Sequence, residues 1–220
     1  MTDQLPEDPQ SLNEIATGDK EVAPQNPFRE ALKIGQETIG SLLKKRGELE
    51  TRGGPTLPDC LDELDKLLTV LTNKNLFLGG REMPRLINIG DARYIIDNNG
   101  KGNILIQREL MLGGGFYPAG QIDISPNSIK ANQIIFNRSD FGNTTTTTGL
   151  TSFEIGPNPF DKKVVDVNLT VFREQMIRPS DFSWKTERTE RKINAKKTPD
   201  GNIRFGSEKP PQTASNRFTM

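Results

Sequence analysis

The chain has 220 residues, with 29 Lys and Arg, 29 Asp and Glu, no His and one Cys. Without His, the commonest general base and the commonest metal ligand are missing. One Cys excludes an intrachain disulfide and every zinc pattern built on pairs of Cys. Zero net charge argues against a protein whose whole surface binds polyanions.

Hydrophobic residues make up 33% of the chain. Even with Gly added, this is slightly below the usage of ordinary globular domains, so we expect part of the chain to lie outside a core. No apolar stretch is long enough to span a bilayer, and the N-terminus is acidic without an apolar run. The sequence therefore predicts no membrane partner and no secretory signal.

The first segment, residues 1–25, contains six acidic residues and one basic residue, a net charge of −5. Three prolines and scattered apolar residues bury too little surface to offset the entropy of ordering. We expect a flexible acidic arm, or an arm that folds on a partner.

The sequence pattern of residues 26–76 predicts a helical hairpin. Asn26 and Pro27 are typical of a helix start. The first helix then carries an apolar seam with steps of four and three residues, at Phe28, Leu32, Gly35, Ile39, Leu42, Arg46 and Leu49. After a Gly-Gly-Pro break, the second helix repeats this spacing at Leu57, Leu61, Leu64, Leu68 and Leu71. Matching seams and a short connection favour an antiparallel pair.

From residue 77 to 178 the pattern changes to short β-type runs separated by Gly, Pro and Asn. The clearest is a hairpin over 92–108 with Asn-Gly turn chemistry. The sequence predicts an antiparallel sheet, sandwich or small barrel of about six or seven strands, and an α+β fold for the whole chain. The other candidate strands are 85–89, 121–124, 129–136, 150–155 and 163–172, with the threonine run 144–148 as an exposed β-prone or loop segment.

The segment 179–220 predicts a basic extended arm. From Arg173 onward there are eleven basic and six acidic residues, a net charge of +5. Basic residues interleaved with aromatic residues are suited to docking on a neighbouring protein, or to contacts with phosphates and bases. The candidate partner-binding residues are Phe182, Trp184, Arg188, Arg191, Lys192, Lys196, Lys197, Arg204, Phe205 and Phe218.

Three features resemble chemical sites, and each has a simpler interpretation. Cys60 precedes a seam Leu and is interpreted as a packed thiol. The acids Asp59, Asp62, Glu63 and Asp65 complement the helix dipole on a solvated face. The glycines 113–115 are not followed by a phosphate-loop helix and indicate a turn or bulge. We therefore predict no catalytic residue, no metal and no cofactor, although carboxylates such as Asp91 or Asp97 leave a His-free enzyme as a third hypothesis.

The stretch 120–137, GQIDISPNSIKANQIIFN, contains the pattern N-x-I-x-A-x-x-I from Asn127 to Ile134. This pattern resembles one common in tail-tip and fibre proteins of tailed bacteriophages, as do the threonine run and the Asn- and Gly-rich strands. The resemblance implies a virion component of a phage tail, neck or baseplate, found in the virion or in the cytoplasm of the producing cell.

The sequence thus predicts a non-enzymatic assembly subunit whose arms dock on neighbouring protein subunits, in a homo-oligomer or a hetero-assembly. Opposite charges would let the acidic arm of one copy meet the basic arm of the next. The alternative is a nucleic-acid-binding module that uses the basic arm.

Overall fold

The computed structural model describes residues 28–73, 86–98, 103–178, 183–207 and 209–219. The predicted acidic arm, 1–25, and the predicted helix start at Asn26 and Pro27 lie outside them. The described chain begins with three helices, α1 (Arg29–Leu43), α2 (Arg46–Gly53) and α3 (Leu57–Asn73).

The predicted leucine seams form the buried side of these helices. All five seam residues of α3 are buried, as are the apolar seam residues of α1 and α2. Helices α1 and α3 lie antiparallel, with the Gln36 side chain hydrogen-bonded to Thr69 (3.0 Å) and Thr72 (3.2 Å). The glycine at position 35 of the seam allows close packing, because a Cβ there would lie 2.4 Å from the side chain of Ile129 in the sheet.

The single first helix predicted from the seam is wrong at one point, because the chain breaks between α1 and α2. Arg46, the polar residue in the seam, starts α2 and turns outward to Glu50 and Asp59, both at 2.8 Å. The break lets Leu49 return to the core while the guanidinium of Arg46 stays in water.

Ten strands follow, and they form one antiparallel sheet in which most strands neighbour the next strand in sequence. The order is β1-β2-β3-β4-β5-β6-β7-β8-β10, with β9 also paired to β8. The strands are β1 (Leu86–Ile89), β2 (Ala92–Asn98), β3 (Ile104–Leu112), β4 (Gly115–Ile124), β5 (Ile129–Phe141), β6 (Thr144–Pro157), β7 (Val165–Ile177), β8 (Ser183–Lys197), β9 (Ile203–Phe205) and β10 (Gln212–Thr219).

The fold is α+β, as predicted, and of the expected architectures the structure has a single open antiparallel sheet and not a sandwich or small barrel. Among the described strands, β1 and β10 form opposite edges and do not pair with each other. Side chains from the three helices and from one face of the sheet share a single apolar core. The helices therefore occupy the place that a second sheet has in a sandwich.

The segment predicted as a basic extended arm is part of this sheet. Residues 183–197 form β8, which pairs with β7 along thirteen consecutive positions, and residues 212–219 form β10 on the far side of β8. The sequence suggested an arm because apolar residues are sparse here. The strands are held by backbone pairing, with Ile193, Ala195 and Ile203 buried under the helices.

The sheet reaches beyond the helices. Residues 137–148, 173–177, 183–190 and 212–216 form the region that we call the extension. Of these residues, Ser183 is the one that is buried. The opposite ends of the same strands carry the core residues, including Ile129, Phe153 and Leu169. The long strands thus have one end under the helices and one end in solvent.

Candidate functional site

The site that stands out lies where β4 and β5 separate. These strands pair over four positions, from Gln121 with Asn132 to Ile124 with Ile129. Beyond that point β4 remains paired with β3, and β5 remains paired with β6. No other described strand fills the gap, so 115–120 of β4 and 134–141 of β5 face each other as two open edges. We call the gap between them the cleft.

The backbone is shaped for this separation. Gly120 has a φ of +130°, and Gln133, opposite it in space, has a φ of +51°. A Cβ on Gly120 would lie 2.8 Å from the Cα of Ile134, so this position has no room for a side chain. Bulges at Arg108 to Glu109 and at Ile135 to Asn137 turn the two strands apart.

Arg108 pairs with Gly120 beside the point where the strands separate, and its side chain is fully buried. Its guanidinium donates to both carboxylate oxygens of Glu63 on α3, from Nε at 2.9 Å and from Nη2 at 3.0 Å. It also donates to the main-chain oxygen of Ile135 on β5. One side chain therefore links α3, β3 and β5 at the point where the sheet divides.

The electrostatics of this cluster favour a charged guanidinium. Burial is the largest single influence and lowers the pKa of Arg108, but the hydrogen bonds and charges of Glu63 and Tyr94 together outweigh it, and the pKa is raised. Burial and the charge of Glu63 both raise the pKa of Tyr94, whose hydroxyl donates to Glu63. The ring of Phe136 lies 5.2 Å from the guanidinium and covers it.

The walls of the cleft are apolar on one side and mixed on the other, around a cavity of about 620 Å³. This volume is within the range of binding pockets. The β3–β4 wall supplies Leu110, Leu112, Tyr117, Pro118 and Ala119, and the β5–β6 wall supplies Ile135, Arg138, Asp140 and Thr147.

Large apolar side chains are exposed on the hairpin tips that flank the cleft. On the β3–β4 hairpin, Met111 is 48% exposed and Tyr117 is 54% exposed. Phe141, at the tip of the β5–β6 hairpin, is 87% exposed. Exposed apolar surface beside a recess is typical of sites that bind another protein or a ligand.

The candidate residues predicted from sequence do not form one surface. Phe182 lies outside the described residues, as does the side chain of Phe218. Alternation along β8 and β9 divides the others between the two faces of the sheet. Arg191, Lys197 and Phe205 lie on the helix side, whereas Trp184, Arg188, Lys192, Lys196 and Arg204 lie on the outer side.

Several of these cations already have partners within the chain. Arg188 contacts Glu190 at 2.9 Å and Glu174 at 3.4 Å, and its guanidinium lies 4.2 Å from the ring of Phe172. Lys197 contacts Glu37 at 2.8 Å. These two cations are therefore engaged within the chain, whereas Lys192, Lys196 and Arg204 stay exposed on the outer side of β8 and β9.

The interpretations of Cys60 and of the glycines 113–115 are confirmed. Cys60 is buried, and burial raises the pKa of its thiol well above the ordinary value. Gly113 and Gly114 form the tight β3–β4 turn with positive φ angles. Of the acidic group on α3, Asp59 and Asp62 lie in solvent as predicted, but Glu63 instead pairs with the buried Arg108.

Sequence reasoning missed Arg108, although a signal was present. The alternating residues Ile104, Ile106 and Leu110 all point into the core, and Arg108 occupies the same row. An Arg in a buried row needs a carboxylate partner, which the pattern of β3 alone does not identify. Gly120, the other residue that shapes the cleft, carries no sequence signal that sets it apart from the other glycines.

Comparisons with models of known protein families, with curated proteins and with solved structures find no match for this chain. Within the described residues, no helix is long and apolar enough to cross a membrane. In that same part of the chain, no group of three or more metal-binding side chains is placed to hold an ion.

Proposed function

We propose that the chain is a non-enzymatic structural subunit of a large protein assembly, and that it binds a neighbouring subunit through the cleft. The observation that carries this proposal is the open edge of β5, which faces an apolar wall across a cavity. The segment 120–137, which resembles tail-tip and fibre proteins, forms the end of β4 and most of β5. A virion component of a phage tail, neck or baseplate is the setting that we propose.

The partner enters the cleft as an extended segment. In such strand addition, main-chain hydrogen bonds supply affinity and alternate side chains supply specificity. Residues 134–141 of β5 contain no proline, so the alternate main-chain N–H groups that point away from β6 can all donate to an added strand. β4 carries Pro118, a residue that suits a strand edge but offers no N–H. An added strand therefore pairs mainly with β5 and rests its side chains against Leu110, Leu112 and Tyr117.

Site-specific cross-linking tests this proposal. A photoreactive benzoylphenylalanine replaces Tyr117 beside the cleft, and in a matched control it replaces Phe160. Phe160 is 96% exposed in the turn between β6 and β7, at the opposite end of the sheet. Irradiation of assembled particles should join residue 117 to another subunit and leave residue 160 without a specific adduct. Equal labelling at both positions, or none at 117, contradicts the proposal.

A substitution pair gives an independent readout. Phe141→Ser removes an exposed ring beside the cleft, whereas Phe160→Ser removes an equally exposed ring elsewhere. Neither residue is in the core, so we expect both variants to fold. The first should be incorporated into particles less efficiently than the second, and equal incorporation would count against binding in the cleft.

Docking of the acidic arm, 1–25, on a neighbouring subunit stays a prediction, because these residues lie outside the described chain. A variant without residues 1–25 tests it, since a docking arm makes assembly weaker and more dependent on salt when removed. Unchanged assembly would remove the arm from the proposal.

Nucleic-acid binding by the outer side of β8 also stays a prediction. Lys192 and Lys196 are the exposed cations there, at positions that share one face. Titration of single-stranded and duplex DNA or RNA at two salt concentrations should show a steep salt dependence that Lys192→Gln with Lys196→Gln reduces. No affinity at low salt would exclude this alternative.

A further inference from the structure

Apart from the cleft, the sheet has an open edge at β10. This strand pairs with β8 over eight consecutive positions, from Gln212 with Glu190 to Thr219 with Ser183, without a bulge. No other described strand lies on its far side. The side chains of residues 212–216 are exposed. β10 therefore presents a straight row of main-chain groups to solvent.

Edge strands of soluble proteins are usually protected from pairing with other chains. Short length, bulges, prolines and charged residues, above all Lys, are the common means. The opposite edge follows this rule, because β1 has four residues. β10 has twice that length, contains no Pro, Lys, Asp or Glu, and keeps a regular register. Its one charged residue is Arg217.

We propose that β10 pairs antiparallel with β10 of a second copy, so that two ten-stranded sheets join into one continuous sheet. Such a contact is isologous, since the same strand is used by both partners about a two-fold axis. The chain has no net charge, so two copies approach without long-range repulsion. The cleft lies on the other side of β6, β7 and β8, and the pairing does not depend on it.

The two-fold axis restricts the register. The axis must be perpendicular to the sheet, so the helices of both copies lie on the same side. It also places odd-numbered residues opposite odd-numbered ones and even-numbered residues opposite even-numbered ones. Registers centred on Ser215 or on Asn216 meet this condition. Arg217 is then opposite Thr213 or Ser215 of the other copy, never opposite itself. Each register thus forms a ladder without opposed like charges.

The test introduces charges that oppose each other in both registers. Ala214→Lys with Asn216→Lys places Lys beside Lys across the two-fold axis, and Ala214→Glu with Asn216→Glu does the same with Glu. Phe160→Lys with Asn127→Lys is the matched control for the double-Lys variant, since it adds equal charge at exposed sites in the β6–β7 and β4–β5 turns, away from β10. Sedimentation equilibrium of the purified full chain measures the mass against the 24.5 kDa of one copy.

The wild-type chain and the control should form a dimer at high concentration. The double-Lys variant and the double-Glu variant should each dissociate with a Kd at least about tenfold higher. An equimolar mixture of the two should recover the dimer, because unlike charges then face each other. This recovery separates loss of pairing from loss of folding.

Three results would overturn the proposal: a wild-type chain that stays monomeric at the highest soluble concentration, charged variants that dimerise like the control, or a mixture that does not recover. The variants of Tyr117 and Phe141 at the cleft should leave this dimer unchanged. Failure at β10 and failure at the cleft are therefore distinguishable.

Discussion

The part of the sheet under the helices and the extension use the same strands but are stabilised differently. Under the helices, Phe153, Ile155 and Leu169 are almost completely buried against α1 and α3. In the extension, backbone pairing is supplemented by contacts such as those of Arg188 with Glu174 and Glu190. Apolar burial contributes far more per residue than exposed ion pairs do. We therefore expect the part under the helices to be the more stable, with the extension continuing the same strands at lower local stability.

Hydrogen exchange tests this comparison most directly, and we expect the largest effect there. Amides of β6 and β7 near Phe153 and Leu169 should exchange only through global unfolding, whose free energy is about 5–15 kcal/mol for most domains. Amides of the same strands at 144–148 and 173–177 should exchange through local opening that costs several kcal/mol less. Uniform protection along each strand would show that the helices do not set the local stability.

Substitution of Arg108, under the helices, should lower the free energy of unfolding more than substitution of Arg188, in the extension. Arg108→Met leaves the carboxylate of Glu63 without its buried partner, and we expect a loss of about 3 kcal/mol in the free energy of unfolding. Arg188→Met, the matched change in the extension, should cost less than about 1 kcal/mol. Urea denaturation measures both, and Arg108→Met combined with Glu63→Leu should recover most of the loss.

Gly120 should be more sensitive to substitution than a turn glycine of the extension. Gly120→Ala forces a Cβ against Ile134 at a positive φ, and we expect a loss of about 2 kcal/mol. Gly142→Ala also has a positive φ, +56°, but its Cβ meets nothing within 4 Å. It should cost about 1 kcal/mol. Equal losses in thermal or urea unfolding would mean that strand separation at Gly120 is not held by close packing.

The smallest effect should be a pH dependence from the contact between α1 and β8. The hydrogen bond from Lys197 lowers the pKa of Glu37 in the folded chain. A lowered pKa stabilises the folded state at neutral pH, and this contribution is lost as pH falls below about 4.3, the ordinary Glu value. Because Glu37 is half-exposed, the effect should stay below about 1 kcal/mol. Lys197→Gln should remove this part of the acid sensitivity in urea titrations across pH.

The covered half of the fold was predictable because burial on one side creates periodic patterns. The seam of α3 and the runs 129–136, 150–155 and 163–172 match the parts of the helix and strands that face the core. The extension was missed because both of its faces meet solvent, so no alternation marks it. Thr144 to Thr148 and the whole of β8 were therefore not recognised as central strands.

The cleft was beyond prediction for a different reason. It depends on two strand bulges, on the positive φ of Gln133 and on a contact between Glu63 and Arg108, which are 45 residues apart. Local sequence gives no distance between such residues. Arg108 in a buried row was the one visible sign, and it indicated that a partner exists without identifying α3 as its source.

The position of the helices at the start of the fold has a consequence for synthesis. The leucine faces of α1 and α3 leave the ribosome before the strands that cover them exist. At about 5–20 residues per second, the interval between Asn73 and Ile155 lasts about 4 to 16 s. Since strands pair mainly with their neighbours in sequence, each newly synthesised hairpin can then add to the sheet and cover the apolar faces of the helices. Nascent chains that stop before β5 should therefore be the form that most needs a chaperone.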